Sequence, residues 1–234
     1  MLLLYPRLGF LCLLLGGLFL VAPTPASAQQ IAVNPDYASQ HLYSGRQYVS
    51  SPVFIAGSPN YRDWEILYDC DVVFDGLLYE QVPLMYDLVN DVLVTSHPHR
   101  QAYLELHGHL VSKFRIDEDH FIHIQDHDQL TSGFYHILHE GTDYLCYARY
   151  SRSVALYRGG TTMDRRYVST TRFFVNDKNN ESGFVEVRKL RDLLALNPAE
   201  RRGIRRHLRQ MNLRFRKHPV ETVAAVLTYL DRSL

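Results

Sequence analysis

The stretch "DVVFDGLLYEQVPLMYDLVNDVLVTS", residues 71–96, decides the fold class of this 234-residue chain. Asp75-Gly76 interrupts it as a two-residue turn, in which glycine supplies the positive φ that a tight β-hairpin needs. Asn90-Asp91 marks a second reversal. The runs between these turns are rich in Val, Leu and Tyr, which favour the pleated backbone of a strand. The stretch therefore predicts successive antiparallel strands.

The same alternation of short apolar runs and turns extends in both directions, over residues 47–188. Tyr, Phe, Val and Ile dominate these runs, which begin with "YVSSPVFIAG" at residues 48–57, and proline is sparse, as a sheet requires. Period-2 alternation places one set of side chains inward. The expected core residues of the sheet are Val73, Leu78, Leu84, Leu93, Leu104, Leu106, Phe121, Ile137, Leu145, Leu156, Phe174 and Val185.

After residue 188 the apolar period changes from two to that of a helix. "LRDLLAL" predicts one short helix, and "NPAERRGIRRHLRQM" predicts a second, with Asn197 as N-cap and Pro198 as its first residue. A third helix begins at Pro219. We therefore predict an α+β protein: an antiparallel, curved or barrel-like β-sheet over residues 47–188, then a short C-terminal helical segment, residues 189–234, packed on the sheet.

The first 28 residues have the composition of a secretory signal peptide. One arginine provides the positive start, "LGFLCLLLGGLFLVA" the apolar stretch, and "APTPASA" a small-residue cleavage pattern that ends at Ala28. We therefore predict an exported protein of the periplasm or cell surface, with a loosely ordered lead-in over residues 29–46. Export would allow a disulfide between Cys70 and Cys146 if their strands are neighbours, and the sequence leaves this pairing open.

A motif in residues 73–94 resembles a family of exported, β-rich proteins of Bacteroidota-like bacteria whose activity is not established. The family pattern is YDG-x-x-Y-x-x-V-x-L-x-YD followed by D-x-L-V. Here it falls on Phe74, Asp75, Gly76, Tyr79, Val82, Leu84, Tyr86 and Asp87, with Phe74 in place of the usual Tyr. The C-terminal "LL-x-L-x-P", "N-L-x-F" and "TYLD" patterns match as well. The resemblance implies a secreted β-rich body with a helical tail, and it transfers no catalytic residues.

The formal net charge of zero conceals an uneven distribution of charge. Residues 188–217 contain eleven Lys and Arg against two acids, a net charge of +9, whereas the rest of the chain after residue 28 carries −10. Such a segment can be a solvated helix face, a contact for anionic lipid headgroups or a nucleic-acid site. An exported protein seldom meets nucleic acid, so we expect one of the first two. A structural role would place its leucines on the sheet and several arginines beside carboxylates.

Nine histidines lie between residues 97 and 139. On a strand, both histidines of an H-x-H pair project from one face. His107 and His109 would then form half of a zinc or copper site, which a third ligand on a neighbouring strand would complete. His136 and His139 are three residues apart and should point to opposite faces. The alternative is that the histidines simply line the solvated face of a sheet.

No catalytic motif accompanies these residues, because the sequence lacks H-E-x-x-H, a G-x-S-x-G elbow, a P-loop and a dinucleotide fingerprint. We therefore predict an exported cell-envelope protein that is a non-catalytic binding or structural protein, with an envelope protein or a glycan as its partner. The alternative is a metal-dependent periplasmic enzyme that uses zinc or copper at His107 and His109. Contact with anionic lipid through residues 188–217 is a further expectation.

Overall fold

Ten antiparallel strands form one sheet in the computed structural model, which describes residues 40–51, 53–63, 68–159, 162–180 and 182–233. The predicted signal peptide and most of the lead-in lie outside these residues. In chain order the strands are β1 Tyr68–Phe74, β2 Leu77–Asp87, β3 Val92–Ser96, β4 Tyr103–Glu105, β5 Val111–Ile116, β6 Asp119–Ile124, β7 Gly133–Glu140, β8 Tyr144–Gly159, β9 Thr162–Asp177 and β10 Phe184–Val187. Their order across the sheet is β10-β9-β8-β7-β6-β5-β1-β2-β3-β4.

The hairpin turns lie where the sequence predicts them. Asp75 and Gly76 join β1 to β2 with φ of 49° and 76°, the left-handed values of a tight hairpin turn. Asp91, with φ of 57°, stands in the turn between β2 and β3. The prediction of an antiparallel sheet from residues 71–96 is therefore confirmed.

The sheet is strongly curved. The ring centroids of Tyr86 on β2 and Phe134 on β7 are 5.7 Å apart, although three strands separate β2 from β7 in the sheet. In a flat sheet, four strand spacings would separate them by about 19 Å. The covered face of β1–β7 therefore folds back on itself, and aromatic side chains such as Phe114 and Phe121, stacked at 4.6 Å, fill the space.

Three helices cover the other end of the same face: α1 Leu190–Leu196, α2 Arg201–Gln210 and α3 Pro219–Ser233. Their buried residues share one cluster with Cys146 and Ala148 of β8 and Phe173 of β9. The second helix begins at Arg201, three residues later than predicted. The Asn197 side chain does accept a hydrogen bond from the Glu200 N–H at 3.3 Å, but this closes a turn that precedes the helix.

The inward face of several strands differs from the prediction. On β1 the buried residues are Cys70, Val72 and Phe74, so Val73 belongs to the other face. Leu78 is 53% exposed and Leu156 is 60% exposed, and Val185 is exposed as well. These predictions are wrong because "DVVF" and the strands that follow carry apolar residues on both faces, so alternation alone does not identify the inward one. Of the other expected sheet residues, Leu84, Leu93, Leu104, Leu106, Phe121 and Phe174 are buried.

The sheet is not closed into a barrel, because within the described residues β4 and β10 at its two ends are not paired. Instead one stretch of chain, the bridging segment (residues 46–57 without residue 52), contacts both β4 and β9. The Tyr48 N–H donates to the carbonyl of Tyr103 at 2.8 Å, and the Ala56 N–H donates to that of Arg165 at 2.9 Å. The sheet is therefore curved but open, since the bridging segment occupies the gap that closure would fill.

Candidate functional site

His107 and His109, the predicted metal ligands, lie at a turn and not on a strand. His107 immediately precedes a 3-10 turn, Gly108–Leu110, that contains His109, and β5 begins after it at Val111. The two imidazole ring centroids are 5.8 Å apart. His107 is half-buried and His109 is exposed. The prediction that strand alternation aligns this pair is wrong, because the glycine between them forms the turn.

The structure does not add a third ligand to this pair. In the described part of the chain, no group of three or more His, Cys, Asp and Glu side chains has an arrangement that could hold a metal ion. Zinc or copper at His107 and His109 therefore stays a prediction that rests on two imidazoles.

Other histidines stabilise turns through their ring nitrogens. The Nδ1 atom of His127 accepts hydrogen bonds from the backbone N–H groups of Gln129 at 3.1 Å and Leu130 at 3.2 Å. The Nδ1 atom of His97 accepts one from the N–H of His99 at 3.0 Å. An imidazole nitrogen that accepts such bonds is unprotonated and already engaged. These contacts favour a local structural role for part of the histidine-rich stretch.

His136 and His139 share one face of the sheet, contrary to the prediction. The register of β7 against β8 shifts between Ile137 and His139, so that His136 lies opposite Ala148 and His139 opposite Cys146. Residues 146 and 148 lie on the same face because they are two apart on a strand. A β-bulge therefore brings both imidazoles to the covered face.

His136, which is buried, belongs to a polar network on that face. Its Nδ1 atom is 3.0 Å from the Tyr150 hydroxyl, and its Nε2 atom is 3.5 Å from one carboxylate oxygen of Asp119. The other oxygen accepts hydrogen bonds from the Tyr61 hydroxyl at 2.8 Å and the Arg62 guanidinium at 2.5 Å. Burial lowers the pKa of His136 and raises the pKa of Tyr150 and of Tyr61. At neutral pH the network therefore holds a neutral imidazole and two neutral phenols, and it ties β6, β7 and β8 to the 61–63 turn.

The two cysteines are separate thiols. Cys70 on β1 and Cys146 on β8 are both free and buried, and three strands lie between β1 and β8 in the sheet. The disulfide that the sequence left open would need neighbouring strands. Burial raises the pKa of each thiol to about 12, so neither is a reactive thiolate near neutral pH.

An open cavity of about 750 Å³ lies between the bridging segment and strands β2, β4, β8 and β9. This volume is in the range of sites for small molecules or for a short segment of a larger partner. It arises where the curved sheet stops short of closure, so its walls come from both ends of the sheet. Its lining includes Tyr48, Phe54, Met85, Asp87, Tyr103 and Tyr167.

The floor of the cavity is polar and is held by Asp87, which is 1% exposed. Its carboxylate accepts hydrogen bonds from the N–H groups of Val89 at 2.8 Å and Asn90 at 3.3 Å, and from the Asn90 side-chain amide at 2.7 Å. The Tyr48 hydroxyl also donates to it, at 3.1 Å. Burial, with the Asp87 carboxylate as a further cause, raises the pKa of Tyr48. The floor therefore presents a fixed carboxylate and a neutral phenol.

The rim of the cavity is apolar and exposed. In the part of the chain that the structure describes, eleven large hydrophobic side chains are exposed, and six of them line this cavity. The six are Val49, Val53, Phe54, Val89, Tyr103 and Val154. Phe54 is the most open, at 88%. Leu156, two residues beyond Val154 on the same face of β8, extends the apolar surface along the hairpin.

Comparisons with known proteins do not identify the chain. No family model, no curated protein and no solved structure matches it. The resemblance carried by residues 73–94 therefore stays a prediction. Among the described residues, no helix combines the length and the apolar composition that crossing a membrane requires.

The cavity could not be predicted from the sequence, because the composition of residues 48–57 predicts a strand. Among the described residues of this range, Tyr48 donates one backbone hydrogen bond to β4, and Ala56 forms an isolated bridge to Arg166. Pro52 and Gly57, which flank the aromatic Phe54, are the signal that argues against a regular strand. That Phe54 is exposed in this loop can be learned only from the three-dimensional structure.

Proposed function

We propose that this protein is an exported cell-envelope protein that binds a partner, protein or glycan, at the cavity and catalyses no reaction there. The observation that carries the proposal is the apolar rim, where six of the eleven exposed large hydrophobic side chains of the described chain surround one cavity. Contiguous apolar surface around a concavity is typical of interaction sites.

The chemistry of the lining favours a partner that offers both apolar and hydrogen-bonding groups. Tyr48, Tyr103 and Tyr167 combine aromatic rings with hydroxyl groups, a combination that is enriched at interfaces. Phe54 is suited to the role of an anchor, because nearly all of its side chain faces solvent. Its full burial under a partner would contribute about 1.5–3 kcal/mol.

Site-specific photo-crosslinking tests this proposal in the producing cell. A photoreactive phenylalanine analogue at Phe54 should give one discrete adduct, whose mass distinguishes a protein partner from a glycan. The matched control is the same analogue at Leu78, which is also an exposed apolar residue, 53% exposed, but does not line the cavity. The adduct should be absent from the control and should weaken when Tyr103 is changed to Ser. Equal adducts at both positions, or none at either, would contradict the proposal.

The metal-dependent enzyme that the sequence offered as an alternative has less support. Neither His107 nor His109 lines the cavity, and the pair lies at a surface turn. A metal held there would not be part of the cavity on which the proposal rests.

A further inference from the structure

A cationic surface of eight exposed side chains covers α2 and the connection that follows it. All eight are exposed to solvent: Arg201, Arg202, Arg205, Arg206, Arg209, Arg214, Arg216 and Lys217. We call this set the basic face. It concentrates nearly a third of the 25 Lys and Arg of the chain within 17 consecutive positions.

The basic face points away from the core because α2 is amphipathic. At about 100° per residue, the five arginines of the helix span about 140° of arc. Ile204, 0% exposed, and Leu208, 4% exposed, lie outside this arc and pack in the cluster shared with β8 and β9. The helix is therefore docked through its apolar side, and docking leaves the arginines directed into solvent.

The cations of the basic face have no carboxylate partner in the part of the chain that the structure describes. Among the described residues, no ion pair involves any of them, and the Arg201 guanidinium donates instead to the carbonyl of Leu194 at 3.1 Å. The nearby carboxylate of Glu200 accepts a hydrogen bond from the Tyr229 hydroxyl at 2.9 Å, and that of Asp231 binds His139.

Some arginines elsewhere in the described chain do have carboxylate partners. Each of six, on strands, turns and the bridging segment, has a carboxylate partner: Arg46, Arg62, Arg115, Arg149, Arg172 and Arg188. A structural role of residues 188–217 predicts several arginines beside carboxylates; among the described residues this holds for Arg188 but for no cation of the basic face. Within the described chain, α2 thus combines a docked apolar side with arginines that have no ion pair, so their charge is available to an external polyanion.

We propose that the basic face docks this protein on the anionic surface of a lipid bilayer, through headgroup phosphates. The charges lie on the outward side of a helix and its extension, which suits an extended anionic surface. Each basic residue near an anionic leaflet strengthens binding about fivefold. Because the apolar side of α2 is already buried, the contact is peripheral and electrostatic, without insertion of the helix.

Sedimentation of the whole protein with vesicles tests the proposal. Vesicles of phosphatidylcholine with about one third phosphatidylglycerol should bind it, and phosphatidylcholine alone should not. Binding should fall at least tenfold between about 0.05 M and about 0.5 M salt, as screening shortens the Debye length. The triple variant Arg205→Glu, Arg206→Glu, Arg209→Glu should lose binding by a hundredfold or more, whereas the corresponding Lys triple variant should keep it.

The matched control makes the same change of charge elsewhere on the surface. Arg100→Glu, Lys113→Glu and Arg165→Glu alter three exposed cations outside the basic face, and this variant should bind anionic vesicles almost as the natural protein does. If both Glu variants lost vesicle binding equally, binding would depend on net charge alone and not on the basic face, and this result would overturn the proposal. Binding of a double-stranded oligonucleotide, without binding of vesicles, would overturn it in favour of nucleic acid. Crosslinking at Phe54 is independent of all these outcomes.

Discussion

Substitution of Leu208 by alanine should destabilise the whole protein, because this side chain fixes α2 to the rest of the fold. Leu208 is 4% exposed and packs with Ile204 and the buried residues of α3, β8 and β9. Buried Leu→Ala changes cost about 2–5 kcal/mol. A short helix at the surface can shift to fill part of the space, so we expect the lower half of that range, about 2–3.5 kcal/mol.

Arg206→Ala is the matched control on the same helix. Arg206 is exposed and, within the described chain, has no ion pair, so its removal should change stability by about 0.5 kcal/mol or less. Urea unfolding followed by far- and near-ultraviolet circular dichroism measures both variants. The two signals should change together, since the described residues belong to one compact unit. At about 2–4 °C per kcal/mol, Leu208→Ala should lower Tm by roughly 4–14 °C. If the two variants differed by less than about 1 kcal/mol, packing of α2 would not hold the fold together.

Three further outcomes are expected. Cys70 and Cys146 should resist thiol reagents in the native protein and both react in denaturant, since burial raises their pKa to about 12; rapid native labelling would contradict this. Hydrogen bonds from two arginines lower the pKa of Glu186 from 4.5 to about 2, so this carboxylate stabilises the fold above about pH 4.5 and loses that effect as the pH falls towards 2. Glu186→Gln should therefore cost about 1 kcal/mol at neutral pH in urea unfolding, a modest value because both partners are partly solvated. Near pH 2 the cost should be much smaller, because the carboxylate is then being protonated. A cost independent of pH would be inconsistent with the ion pairs. With two imidazoles and no third ligand in the described chain, untagged protein should retain less than one equivalent of zinc or copper after dialysis, as measured by elemental analysis. Stoichiometric metal that disappears in His107→Ala, His109→Ala would restore the enzyme alternative.

The parts of the fold that follow from local chemistry could be predicted from the sequence. Asp75-Gly76 specifies a tight turn by itself, and the spacing of Ile204 and Leu208 specifies the docked side of a helix. The inward face of β1 could not be predicted, because Val72 and Val73 are equally apolar and only the packing of distant strands distinguishes them. Whether the sheet is flat, curved or closed depends on strand twist and on contacts between strands far apart in sequence. No local sequence pattern encodes these contacts.

The candidate sites were less predictable than the fold. The histidine pair could be found in the sequence but not its geometry, since Gly108 turns the chain where a strand was expected. The shared face of His136 and His139 depends on a β-bulge, which one inserted residue creates without any distinctive composition. The cavity depends on Ala56 meeting Arg166, a contact across 110 positions that propensity cannot specify.

The bridging segment also sets an order of assembly. It is synthesised before every strand of the sheet, yet its pairing at Ala56 needs the backbone of Arg165 and Tyr167 in β9. A contact of such long range forms late, because closing the loop costs entropy before the contact stabilises it. The nascent chain therefore carries the bridging segment without its contact at Ala56 until β9 has emerged. During that interval its apolar side chains belong to an unassembled part of the fold, the kind of surface that chaperones bind.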